Sequence, residues 1–145
     1  MTTYNDILNT LEDEMRDKIN SGSGNYKTDP TVRRGEYMYD EVQGTNICFM
    51  EVSQEQEVLF GENNRATINL LVYGYTPWRE QDDNGNISDL AMDMIYFIEN
   101  DYTYTDYVYY VPKVDIITGN KNRPKSVFTM ELEIHYEYTN SNINN

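Results

Sequence analysis

The chain predicts an α+β domain: a mostly antiparallel sheet of about four strands with a long C-terminal hairpin, packed by two helices in the order α-β-β-α-β-β. Three observations carry this expectation. Two stretches repeat apolar residues at three- and four-residue steps, four stretches alternate or enrich them as strands do, and the last two strands are joined by a short polar loop. With 145 residues the chain suits one domain with a sizeable core. That domain is taken as residues 1–138, followed by a polar tail at 139–145.

The first helix is expected between Thr3 and Ile19. Tyr4, Ile7, Leu8, Leu11, Met15 and Ile19 fall on one face, with Glu12, Asp13, Arg16 and Asp17 on the solvated side. Thr3 and Asp6 imitate a capping box, and Ser21-Gly22-Ser23-Gly24 ends the helix. Residues 22–45 then carry Gly22, Gly24, Pro30, Gly35 and Gly44 among polar neighbours. They read as a long loop with Tyr37-Met38-Tyr39 as a short edge strand, and a loop of that length points to use against a neighbouring subunit.

Two strands follow. Asn46 to Ser53 sets Cys48, Met50 and Val52 against Ile47, Phe49 and Glu51, the pattern of a strand covered in part on both faces. After the Gly61-Glu62-Asn63-Asn64 turn, Arg65 to Tyr75 sets Ala66, Ile68, Leu70 and Val72 against Thr67, Asn69, Leu71 and Tyr73. Pro77 stops this strand, and Asp82 to Asn86 is a turn. The second helix is expected at Ser88–Asn100, with Ile87, Leu90, Ala91, Met94, Ile95 and Ile98 inward and Asp89, Asp93 and Glu99 outward. Ser88 serves as N-cap, and Asp89 complements the helix dipole.

Asp106–Ile117 and Ser126–Tyr138 form the hairpin, joined by the loop Gly119 to Lys125. The last strand alternates most cleanly. Phe128, Met130, Leu132, Ile134, Tyr136 and Tyr138 face a core, whereas Thr129, Glu131, Glu133, His135 and Glu137 face water or a water-filled space.

Charge excludes several functions. Eleven Lys and Arg against 25 Asp and Glu leave a net charge of −14, the wrong sign for gripping duplex DNA over a broad face or for docking on an anionic membrane. A lone Cys48 excludes an internal disulfide framework. The first residues form neither a basic nor an apolar leader, and no apolar run reaches the ~18–20 residues that span a bilayer. A soluble protein made in a reducing compartment is expected.

Catalytic and metal sets are not found. A calcium loop starting at Glu80 would place Asp82 and Asn84 in register, but Ala91 occupies the position that needs a bidentate Glu. His135 lies beside Glu133 and Glu137 on one strand, which suits an exposed charged strand better than a metal site. Cys48 sits mid-strand among apolar residues, as a small core side chain does. The expectation is therefore a protein that is not an enzyme, with no cofactor and no metal.

Two basic clusters stand against the acidic background: Arg33 with Arg34, and Lys121, Arg123 and Lys125 on the hairpin loop. Each is either ordinary loop polarity or a patch that registers against acidic surface on an identical neighbour. Trp78, after Pro77, is either a cap on the sheet or an interface anchor.

This order of elements resembles the tail terminator proteins (tail completion, head-tail joining) of long-tailed bacteriophages. The matching segments are Thr2–Ile19, Arg65–Trp78, Leu90–Asp101 and Val127–Tyr138, each a hydrophobicity pattern with few fixed residues. The resemblance implies a hexameric ring in the virion neck, assembled in the host cytoplasm. Such a ring caps the finished tail tube, meets the tube protein and the head-completion connector, and has no catalytic residues. Six copies at −14 each would make a passage that repels DNA phosphates, so that DNA slides through without specific binding. Glu131, Glu133 and Glu137 are the candidate lining of that passage. Arg33, Arg34, Trp78, Lys121, Arg123 and Lys125 are the candidate subunit or partner interface. A free acidic inhibitor that mimics DNA fits the same length and charge, and oligomeric state separates the two.

Overall fold

The computed structural model describes residues 4–35, 43–57, 63–78 and 85–139. Its elements are α1 (Tyr4–Lys18), β1 (Thr31–Arg34), β2 (Asn46–Glu57), β3 (Asn63–Pro77), α2 (Gly85–Asn100), β4 (Val108–Ile117) and β5 (Lys125–Thr139), with single 3₁₀ turns at Ser21–Ser23 and Thr105–Tyr107. The class is α+β with two helices, as the patterning predicts. The sheet differs from the expectation: it is mixed and, among the described residues, has five strands in the order β1-β2-β3-β5-β4. All neighbours are antiparallel except β1 and β2, which run parallel from Thr31↔Asn46 to Arg34↔Phe49.

The two long strands at the centre, β3 and β5, pair without a register shift from Asn63↔Thr139 to Pro77↔Lys125. Alternation then delivers one face of each to the core. Ala66, Ile68, Leu70 and Val72 from β3 meet Phe128, Met130, Leu132, Ile134, Tyr136 and Tyr138 from β5, all buried. Ile7, Leu8, Leu11 and Met15 of α1 and Leu90, Met94, Phe97 and Ile98 of α2 complete the same cluster, so both helices cover one side of the sheet. Gly74 permits this approach. A Cβ there would lie 2.2 Å from the Phe128 ring and 2.8 Å from Leu90, so no larger residue fits beneath α2.

Residues 22–35 pack against the domain itself instead of standing off as a free loop. Tyr26 is buried, donates its hydroxyl to the Asp101 carboxylate and meets Tyr96 edge-on at 5.3 Å. Asp93 is only 3% exposed and accepts the backbone N–H groups of Lys27 (3.1 Å) and Thr28 (2.9 Å), with the Thr28 hydroxyl at 2.5 Å. Lys27 also reaches Asp89 at 3.7 Å. The segment is thus strapped across α2 and then enters the sheet as β1. Tyr37-Met38-Tyr39 lies outside the described residues.

These contacts correct the reading of α2. Asp93, expected in solvent, is a buried anchor whose negative charge is met by backbone donors. Phe97 joins the buried stripe and Ile95 is only partly buried. The helix begins at Gly85, so Ser88 is inside it and is not the N-cap. Asp82–Asn84, Glu80 and the Thr3 cap fall outside the described residues.

The other differences are at ends. β2 continues to Glu57 past a register shift between Glu51 and Ser53, which leaves Val52 62% exposed. Thr105–Tyr107 is a 3₁₀ turn rather than the start of the hairpin strand. Tyr102 closes the two helices together, its hydroxyl donating to the Ile7 carbonyl at 2.9 Å, while Glu14 accepts the Thr103 N–H at 2.9 Å. β4 shifts register against β5 between Tyr110 and Val114, a stretch that contains Pro112.

Candidate functional site

The face of the sheet turned away from the helices holds every sequence-derived candidate on β5. Along it the register stacks residues into rows that run across strands: Glu131 beside Leu71 and Met50, Glu133 beside Asn69 and Tyr109, His135 beside Thr67, Glu137 beside Arg65. Alternation explains why these side chains share a face. It does not explain their surroundings, which differ along the strand.

Toward the start of β5 the outer face is apolar and covered. Cys48, Tyr73 and Tyr75 are buried, with Met50, Leu71 and Val127 packed against them. Tyr73 donates to the Gly35 carbonyl at 3.2 Å and meets Tyr75 edge-on at 5.7 Å. Burial pushes the Cys48 thiol up to about 11, outweighing the Tyr73 hydrogen bond and the Arg33 charge that pull it down. A thiol held neutral in this way is a core side chain rather than a nucleophile.

Arg33 and Arg34 do not form one patch. They are consecutive residues of a strand, so their side chains leave on opposite faces. Arg33 Nε donates to Asn46 Oδ1 at 3.0 Å, whereas Arg34 donates to Asn9 Oδ1 on α1 at 3.1 Å. The expectation of a two-arginine loop cluster is corrected by the presence of β1.

The hairpin loop does form a basic tip. Asn120 Oδ1 accepts the N–H groups of Asn122 (2.8 Å) and Arg123 (2.9 Å), and Asn120 and Arg123 also pair through their backbones. Lys121 and Arg123 are exposed around this turn, and Lys125 is half-buried opposite Pro77. Trp78 supports the tip from β3: its N–H donates to the Pro124 carbonyl at 2.9 Å, and Gly119 lies so close to its Cβ that a methyl group there would sit 2.7 Å away. Trp78 is half-buried, so part of it closes the end of the sheet and part remains available.

At the other end of β5 the outer face is polar and open. Glu131 and Glu137 are exposed and Glu133 is half-buried. His135 stands between Thr67 Oγ1, 3.3 Å from Nδ1, and Glu133 Oε2, 3.1 Å from Nε2. A carboxylate oxygen accepts, so Nε2 is the donor of that pair, while Nδ1 and the Thr67 hydroxyl share the other hydrogen bond. Hydroxyl, imidazole and carboxylate are therefore in line, and the effect is to fix the ring under Tyr109, whose centroid is 4.3 Å away. Arg65 Nε lies 3.7 Å from Glu137.

These groups border an open concavity of about 730 Å³, lined by Glu55, Arg65, Asp106, Tyr109, His135 and Glu137 among others. A smaller one of about 240 Å³ lies beside Val52, Asn69, Glu131 and Glu133. Sequence reasoning missed Glu55, Arg65, Asp106 and Tyr109, because only the strand register brings them to Glu137. Tyr102, Tyr104 and Tyr107, crowded just ahead of β4, are the sequence signal near them. Among the described residues, no three His, Cys, Asp or Glu side chains are grouped as a metal site requires.

Compared with protein-family models and with curated proteins, the chain matches none.

Proposed function

We propose that this chain is a structural virion protein of the tail-terminator type. Copies form a ring that caps the tail tube, joins it to the head connector and leaves an acidic passage for DNA. The observation that carries this reading is the open second half of the outer face of β5, where Glu131 and Glu133 stand side by side and, among the described residues, no helix lies over them. Carboxylates repeated around a passage repel phosphates, so DNA moves through without the counterion release that would hold it. Glu137 adds less to this field, because Arg65 lies beside it. The ring contacts in this reading come from Lys121, Arg123, Lys125 and Trp78, which the fold gathers at one end of the sheet.

Light scattering with negative-stain microscopy tests the reading directly. A closed ring is expected, and replacement of Glu131, Glu133 and Glu137 by Gln should leave the subunit folded while making the ring retain DNA. A strict monomer or dimer that binds a DNA-binding protein would instead favour the DNA-mimic inhibitor.

A further inference from the structure

The basic tip and the open concavity occupy opposite ends of one sheet. From Lys125 to Glu137 the chain runs along β5, roughly 40 Å at ~3.3 Å per residue. No single copy brings them together; contact between them takes a second copy, placed head to tail.

We infer that the β4–β5 hairpin tip of one copy docks in the concavity bordered by Glu55, Asp106 and Glu137 of the next. This deepens the ring proposed above and rests on it. Charge complementarity names the occupant. The tip presents Lys121 and Arg123 in solvent with Lys125 behind them, on a chain whose net charge is −14. Among the described residues that line it, the concavity presents three carboxylates against one guanidinium, that of Arg65. Opposite-sign patches on a self-repelling acidic protein are the surfaces on which copies approach with least repulsion.

Shape and rigidity agree with charge. The tip is a turn already closed by Asn120 and braced by Trp78, so little conformational freedom is lost on docking. Tyr109 is 58% exposed at the rim, an aromatic surface against which the stem of an arginine or lysine can lie. Two different patches on one chain make a heterologous contact, the kind that closes into rings. The contact also divides the glutamates: Glu137 faces the neighbour's tip, and Glu131 and Glu133 are left for the passage.

The test exchanges charge. One variant carries Lys121→Glu and Arg123→Glu, and a second carries Glu55→Lys and Asp106→Lys; all four side chains are exposed, and circular dichroism checks each fold. Wild-type association is expected to weaken at least ~10-fold in either variant alone and to fall as salt rises, as screening of exposed charges requires. Mixing the two variants should restore assembly, since each reversed tip then meets a reversed concavity. Wild-type copies that assemble while both variants assemble equally well would overturn this contact and leave the ring reading standing. A wild type that stays monomeric at high concentration would overturn both.

Discussion

The two halves of the outer sheet face share the central strands β3 and β5 with one unbroken alternation, yet one is covered and the other is open. Near the start of β5, Tyr73 and Tyr75 are buried beside Cys48, and Tyr73 reaches the Gly35 carbonyl. Near its end, Thr67, His135 and Glu137 stand in the corresponding outward positions and remain wholly or partly in solvent. Strand periodicity chooses a face, whereas coverage depends on which other segment crosses it. The helix-side face makes the contrast sharper, because there both halves are closed by α1 and α2.

The largest effect should come from the face that is covered throughout. Leu132→Ala removes a side chain with 1% exposure between the sheet and the helices, and should lower stability by ~2–5 kcal/mol in urea denaturation. Ile95→Ala should cost less, since Ile95 is only partly buried. Next comes Asp93→Ala, expected to cost about 2–3 kcal/mol because it leaves the Lys27 and Thr28 N–H groups without their acceptor. Hydrogen exchange at those two amides should speed up in the same variant.

On the covered half of the outer face, Tyr73→Phe removes only the hydroxyl bonded to Gly35 and should cost about 1 kcal/mol. On the open half, Glu131→Gln should change stability by less than about 0.5 kcal/mol. A large loss from Glu131→Gln would show that the open half is covered after all, and a negligible loss from Tyr73→Phe would show that the covered half is not.

Titration gives a graded check at the helix end. Burial, and then the Glu51 carboxylate that accepts its hydroxyl, push Tyr4 from 10.0 up to about 12. The folded state thus holds this proton more tightly than the unfolded chain. Its contribution to stability is complete below pH 10 and is lost as the pH rises through about 12. Tyrosinate absorbance of Tyr4→Phe against the parent should locate that step, and Glu51→Gln should move it downward.

Much of the fold is legible from periodic residues alone. The first-helix stripe from Ile7 to Ile19 and all six inward residues of β5 are buried as their spacing predicts, Tyr4 only in part, and the same alternation turns Glu131, Glu133 and Glu137 away from the core. What is not legible depends on partners distant in the chain. β1 is four residues, Thr-Val-Arg-Arg, too short for a period to emerge. Asp93 reads as a solvent residue because its partners are backbone donors 65 residues or more earlier. The acidic concavity combines β2, β3, β4, β5 and a 3₁₀ turn, so no local stretch announces it.

The register shift in β4 has a further consequence. β4 is the outermost strand on its side, and such a strand normally offers its free backbone groups to any other strand that approaches. Here the ladder is broken between Tyr110 and Val114, Pro112 supplies no N–H, and Lys113 and Asp115 place charges along the exposed rim. Copies crowded together are thereby kept from zipping into an endless cross-strand fibre. Growth by sheet extension is disfavoured on this side, so any contact between copies there has to run through side chains.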